Sequence, residues 1–184
     1  MMRPLGSEFS VLKRSPLSRE DEMRKTKIRQ YAFTVSMGLV LCGTAYGEDW
    51  KAAGYFGWLG VGKAYEIEKG HLYWVGEFSG AFANDKGKGS LFDQSGWKCP
   101  GFNDVDTNNK KNKAAGRCIM SDTDGDKAYS TWQCEGDTVL CSGTLDYTGG
   151  TGKYKDINGH NTFLGHIQVN WPDGTASGYT TFNR

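Results

Sequence analysis

Glu77 is the carboxylate best placed to do chemistry. In L-Y-W-V-G-E-F-S-G-A-F, alternation puts Leu72, Trp74, Phe78 and Phe82 on one strand face and Tyr73, Val75, Glu77 and Ala81 on the other. If the second face lines a closed interior, Glu77 becomes a desolvated acid with a raised pKa, suited to proton abstraction, with Tyr73 and Val75 shaping the substrate. If that face is the outer wall, Glu77 simply points to water. Tyr129 and Trp132 are the other candidates for a ligand wall.

The remaining reactive types give weaker signals. Asp122-Thr123-Asp124-Gly125-Asp126 gathers three carboxylates around a glycine, which suggests calcium. Its glycine is fourth where an EF-hand requires it sixth, and Gln133 stands at the twelfth position. A polar β-turn centred on Asp-Gly is the expectation, with weak calcium binding by Asp122, Asp124 and Asp126 as the alternative. Gly149-Gly150-Thr151-Gly152-Lys153 lacks both flanks of a phosphate loop: Tyr147 and Tyr154 stand where glycine and Ser or Thr are needed. His160 and His166 could share a strand face, but six residues hold them roughly 20 Å apart, too far to chelate one ion. No serine sits in a nucleophile elbow. No cofactor is expected.

Cysteine usage points to an oxidising compartment. Arg24, Lys25, Lys27 and Arg29 precede an apolar run from Tyr31 to Leu41, then Ala45-Tyr46-Gly47. That is the pattern of a secretory signal peptide over 23–47, cleaved after Gly47, and residues 1–22 read as an over-extended start. Eleven apolar residues are too few for a membrane span, which needs roughly 20. The expected location is periplasmic or secreted. Residues 48–184 then form one domain with four cysteines, Cys99, Cys118, Cys134 and Cys141, an even number that argues for two disulfides. Residues 1–47 hold eight basic and four acidic side chains, which leaves 14 against 17 beyond Gly47, a net of −3. Lys110, Lys111 and Lys113 fall in an Asn-rich stretch read as a solvated loop, so no nucleic-acid partner is expected.

Short apolar and aromatic runs alternate with Gly, Asn, Asp and Pro clusters throughout this domain, and no helical period appears. Eight strands are predicted, at 54–67, 71–83, 88–98, 115–121, 127–134, 139–147, 160–169 and 176–183. The glycines from Gly149 to Gly152 are expected to mark tight curvature at a barrel corner. Short turns favour an up-and-down antiparallel order. If Cys134 faces Cys141 in a hairpin, Trp132 falls opposite Gly143, a ring-over-glycine pairing that favours this bridge. Cys99–Cys118 is then left to staple a long loop between the third and fourth strands. With Asp124-Gly125 as a two-residue turn, Arg117 and Ile119 share the face of Trp132, and Cys118 and Met120 the opposite one with Tyr129. The two bridges would then project to opposite sides of the sheet; a bulge would reverse this.

Four blocks carry a resemblance: V-G-E-F-S-G-A-F-A-N-D-K-G-K-G from Val75, C-P-G-F-N-D from Cys99, G-R-C-I-M-S-D-T-D-G-D-K-A from Gly116, and T-G-G-T-G-K-Y-K-D-I-N-G-H-N-T-F from Thr148. Together they resemble the allene oxide cyclase barrel-like family of exported bacterial proteins, over roughly Tyr73 to Phe163. The last block is also similar to the G-G-T-G-x-F/Y stretch of dirigent proteins, which share that barrel superfamily. The resemblance implies a closed eight-stranded antiparallel up-and-down barrel with a central cavity. It implies either binding of an apolar small molecule in the lumen or, as in plant members, cofactor-free cyclisation. The cysteine framework and the Asp-rich turn depart from the plant pattern.

Overall fold

The computed structural model describes residues 50–184; the segments at 1–22 and 23–47 lie outside them. Eight strands close into a barrel: β1 (Gly54–Glu68), β2 (His71–Asn84), β3 (Ser95–Asp106), β4 (Lys111–Ser121), β5 (Lys127–Gly136), β6 (Leu140–Gly150), β7 (His160–Asn170) and β8 (Thr175–Phe182). Each pairs antiparallel with its sequence neighbours, and β8 pairs with β1 from Gly54↔Phe182 to Val61↔Thr175. Among the described residues no edge of the sheet is left unpaired.

The third strand lies further along than 88–98. Gly87 and Gly89 have φ of 74° and 86°, and Phe92 and Gln94 have φ of 59° and 60°, so this segment cannot extend. It folds instead into the long connection, from 85 to 94, and buries Phe92 to 1% exposure. The polar run Phe102 to Asp106 remains strand because it pairs with both β2 and β4. Lys111 and Lys113 are therefore strand residues, with only Lys110 in the turn. The Asp106 carboxylate tightens that turn by accepting from the backbone N–H groups of Asn108 and Asn109, both at 3.0 Å. Cys99–Cys118 thus joins two paired strands, Cα to Cα 4.1 Å, rather than stapling a loop.

The Asp-rich turn also changes a register. It has five residues, not two: Asp122 Oδ1 accepts from the N–H groups of Asp124 and Asp126, and the Asp122 N–H donates to the Asp126 carbonyl. Ser121 therefore faces Lys127, and Cys118 faces Ser130. This puts Cys118 and Met120 on the face of Trp132, so both bridges project into the barrel. In the β5–β6 hairpin Cys134 lies opposite Gly143 and Cys141 opposite Gly136. The bridge is diagonal, Cα to Cα 5.5 Å, because the turn is centred one residue further along than a Cys134–Cys141 pairing needs, with Asp137 Oδ1 capping it by accepting from Val139 and Leu140. Trp132 accordingly faces Leu145, not Gly143.

The ring-over-glycine pairing exists with other partners. A methyl added at Gly101 or Gly116 would come within 2.6 or 2.8 Å of Trp132 Cζ2. Trp74 lies in the same way over Gly62 and Gly76, and Trp58 over Gly178. The indoles lie flat against glycine stripes of the inner wall. The Gly149 corner is a bulge: Tyr129 pairs with Gly149 but Ser130 pairs with Tyr147, leaving Thr148 extra on β6. A 3₁₀ turn, Gly152–Tyr154, follows it.

One end of the barrel is stoppered by Ala52, Phe92, Tyr154 and Ile157. Asn161, 1% exposed, ties the residues before β1 to those after β8 there. Its Oδ1 accepts from the Ala52 N–H at 3.0 Å and from Asn183 Nδ2 at 2.5 Å, while its Nδ2 donates to the Tyr147 hydroxyl at 2.9 Å.

Candidate functional site: the lumen

The inward residues of the strands line a half-open cavity of about 90 Å³. Seven aromatic side chains form its wall, Phe56, Trp58, Phe78, Trp97, Trp132, Phe163 and Phe182, with both disulfides and Leu145 between them. Phe78 meets Trp58 and Trp132 edge-on, at 5.0 and 5.9 Å between centroids, which locks the rings against one another. Such a volume holds roughly three waters and is smaller than the cavity of about 150 Å³ that takes benzene, so one small ring would fill it only with some widening of the wall.

Polar groups are few and mostly satisfied. The Trp58 indole donates to Thr180 Oγ1 at 3.2 Å, and Asn112 Nδ2 to the Asp137 carbonyl at 2.6 Å. Trp132 Nε1 and Asn103 Oδ1, one donor and one acceptor, are buried without a hydrogen-bond partner among the described residues. No ionisable side chain lines the cavity.

Of the four ligand-wall candidates, only Trp132 lines the lumen. Tyr73, Val75 and Glu77 lie on the outer face of β2, because Trp74, Phe78 and Phe82 take the inner one. Tyr73 stacks outside on Phe102, and Val75 and Tyr129 are exposed. Glu77 Oε1 accepts from Ser79 Oγ at 2.5 Å and lies 3.7 Å from Lys98 Nζ. It is a solvated, partnered carboxylate on the wrong side of the wall for lumen chemistry. The sequence signal for the true lining was the bulk of the Trp74–Phe78–Phe82 face, which packing requires to be inside.

Asp122, Asp124 and Asp126 are spent on partners within the chain. Lys153 Nζ lies 2.6 Å from Asp122 Oδ2 and 2.9 Å from Asp124 Oδ2, and its backbone N–H donates to Asp126 Oδ2. Burial raises the Asp122 pKa, but hydrogen bonds from Lys153 and Tyr154 outweigh it and hold the carboxyl below its usual range. The same pairing raises Lys153, chiefly through Asp122 and then Asp124. Burial and the Asp122 charge push the Tyr154 hydroxyl up to about 12. Among the described residues no group of three His, Cys, Asp or Glu side chains is placed to hold a metal ion. His71 pairs with Asp104 at 2.5 Å, and His166 stacks on Tyr179, both on the outer wall.

The fold and site define a small all-β barrel with an aromatic, uncharged interior. Comparisons with protein-family models, curated proteins and solved structures return no match.

Proposed function

We propose that this is an exported barrel of the allene oxide cyclase-like kind that binds an apolar small molecule in its lumen. The observation that carries the reading is the lining: seven aromatic side chains and two disulfides around about 90 Å³, with no charge. Burial of apolar ligand surface against such a wall is favourable at roughly 25 cal/mol per Å². Two bridges suit an oxidising compartment, which supports a periplasmic or secreted location. Among the described residues no helix is long and apolar enough to cross a membrane.

The alternative, a cofactor-free isomerase with Glu77 as base, lacks its geometry, since that carboxylate faces outward and nothing ionisable lines the cavity. A panel of one-ring compounds (toluene, indole, p-cresol) titrated against the protein tests the binding reading. Saturable shifts of the Trp97 and Trp132 indole N–H resonances are expected, together with a rise in Tm. Absence of both across the panel, with no adduct in native mass spectra, refutes it.

A further inference from the structure

The lumen is not the roomiest recess of the barrel unit. At its stoppered end, a basin of about 440 Å³ opens between the β2–β3 loop, the Asp-rich turn and the 3₁₀ turn. That volume falls within the range of ligand pockets, roughly 300–1,000 Å³. The floor is apolar: Phe92 stacks on Tyr154 at 4.8 Å between centroids, and half-buried Trp50 meets Tyr154 edge-on at 6.4 Å. The rim is polar and exposed, with Lys88, Gln94, Thr123 and Asp124.

The basin is preformed. Asn84 holds the long loop from inside: its N–H donates to Asp93 Oδ1 at 3.0 Å and its side-chain amide to the Leu91 carbonyl at 2.8 Å. The Gln94 N–H donates to the Phe82 carbonyl at 3.0 Å. Phe92 and Gln94 are both held in the left-handed region, a conformation that side-chain-bearing residues adopt only when their surroundings dictate it. The result puts Phe92 in the floor and Gln94 at the rim.

Charge narrows the ligand. The place for a cation is filled by the chain itself: Lys153 Nζ sits between Asp122 and Asp124, 5.5 Å from the centre of the Tyr154 ring. An anion would face Asp93, Asp122 and Asp124, with Lys88 the one lining cation not engaged with those carboxylates. An uncharged ligand with a flat apolar face and many hydroxyl groups meets neither obstacle. It would lay that face on Trp50 and exchange hydrogen bonds with Gln94, Thr123 and Asp124, which supply both donors and acceptors. We propose that this basin is a binding site for a neutral saccharide, separate from the lumen.

The test is a ¹H–¹⁵N NMR titration of the full chain with chitotetraose, cellotetraose, maltotetraose and xylotetraose. At least one should give saturable shifts of the Trp50 indole N–H and of amides in 88–94 and 122–124, with Trp97 and Trp132 unmoved. Trp50→Ala should weaken that binding about tenfold or more, the effect of one lost aromatic contact. Because Trp50 also packs on the core, Gln94→Gly is the second variant. It relieves the left-handed backbone while removing the amide, so Tm should hold or rise as affinity falls. The proposal is overturned if none of the four saccharides shifts these residues, or if their shifts concentrate in the lumen. It is equally overturned if tetramethylammonium or phenyl phosphate saturates the basin while the sugars do not.

Discussion

Truncating Trp132 probes the lumen wall and its orphaned indole together. The side chain is 9% exposed, packs edge-on to Phe78, and covers Gly101 and Gly116, neither of which has a side chain to fill a void. Trp132→Ala removes the whole ring, a change that costs about 3–5 kcal/mol in well-packed cores. Its Nε1 is buried without a partner, and relief of that desolvation returns about 1–3 kcal/mol. The expected net loss is therefore centred near about 2 kcal/mol, below the usual cost of such a truncation. Trp132→Phe keeps a ring over the glycines and removes the orphaned N–H, so it should cost under about 1 kcal/mol. Urea unfolding followed by circular dichroism gives both values if the slopes match wild type. Equal losses for the two variants would show that the indole N–H is bonded and useful, against the present account. A loss below about 1 kcal/mol for both Trp132→Ala and Trp132→Phe would mean that the ring is not part of the core.

Two further outcomes follow from the stoppered end of the barrel. Asn161→Ala should lose about 1–3 kcal/mol, because it strands the buried Ala52 N–H and takes one of two acceptors from the Asn183 amide, which keeps the Ala52 carbonyl; hydrogen exchange should then rise first at Ala52, and uniform protection would count against the tie. For the clamp around Lys153, the folded pKa of Asp122 lies below its unfolded one, so its stabilisation is present above the unfolded value and lost as pH falls through the folded one. Tyr154 has the opposite sign: its contribution is present below the ordinary value of 10.0 and lost as pH rises from there to about 12. Lys153→Met should flatten the acid limb of a Tm-against-pH curve, and an unchanged limb would remove the clamp from the account.

Much of the architecture was written in period and punctuation. Strands alternating with turn chemistry gave the eight segments, and short turns gave their antiparallel order. The glycine cluster marked a sharp corner because positive φ at Gly149 and Gly152 admits little else. The residues that decide which face is inward were harder. A two-residue Asp-Gly turn and a five-residue turn capped by Asp122 have the same composition, yet they differ by one in register and so flip every side chain of β4. The third strand was misplaced because Ser90, Leu91 and Phe92 look extended in isolation. Burial of Phe92 in the stopper holds them in a loop. Glu77 and Tyr73 share a face in sequence, but only the bulk of Trp74 and Phe78 decides that this face is outside.

Both sulfur bridges project inward, and their cysteines are only 4–7% accessible. A reducing agent in solution therefore reaches them only when the wall parts. Their rate of reduction in the intact protein is a clock for breathing of the closed sheet, and a guest lodged inside would slow it.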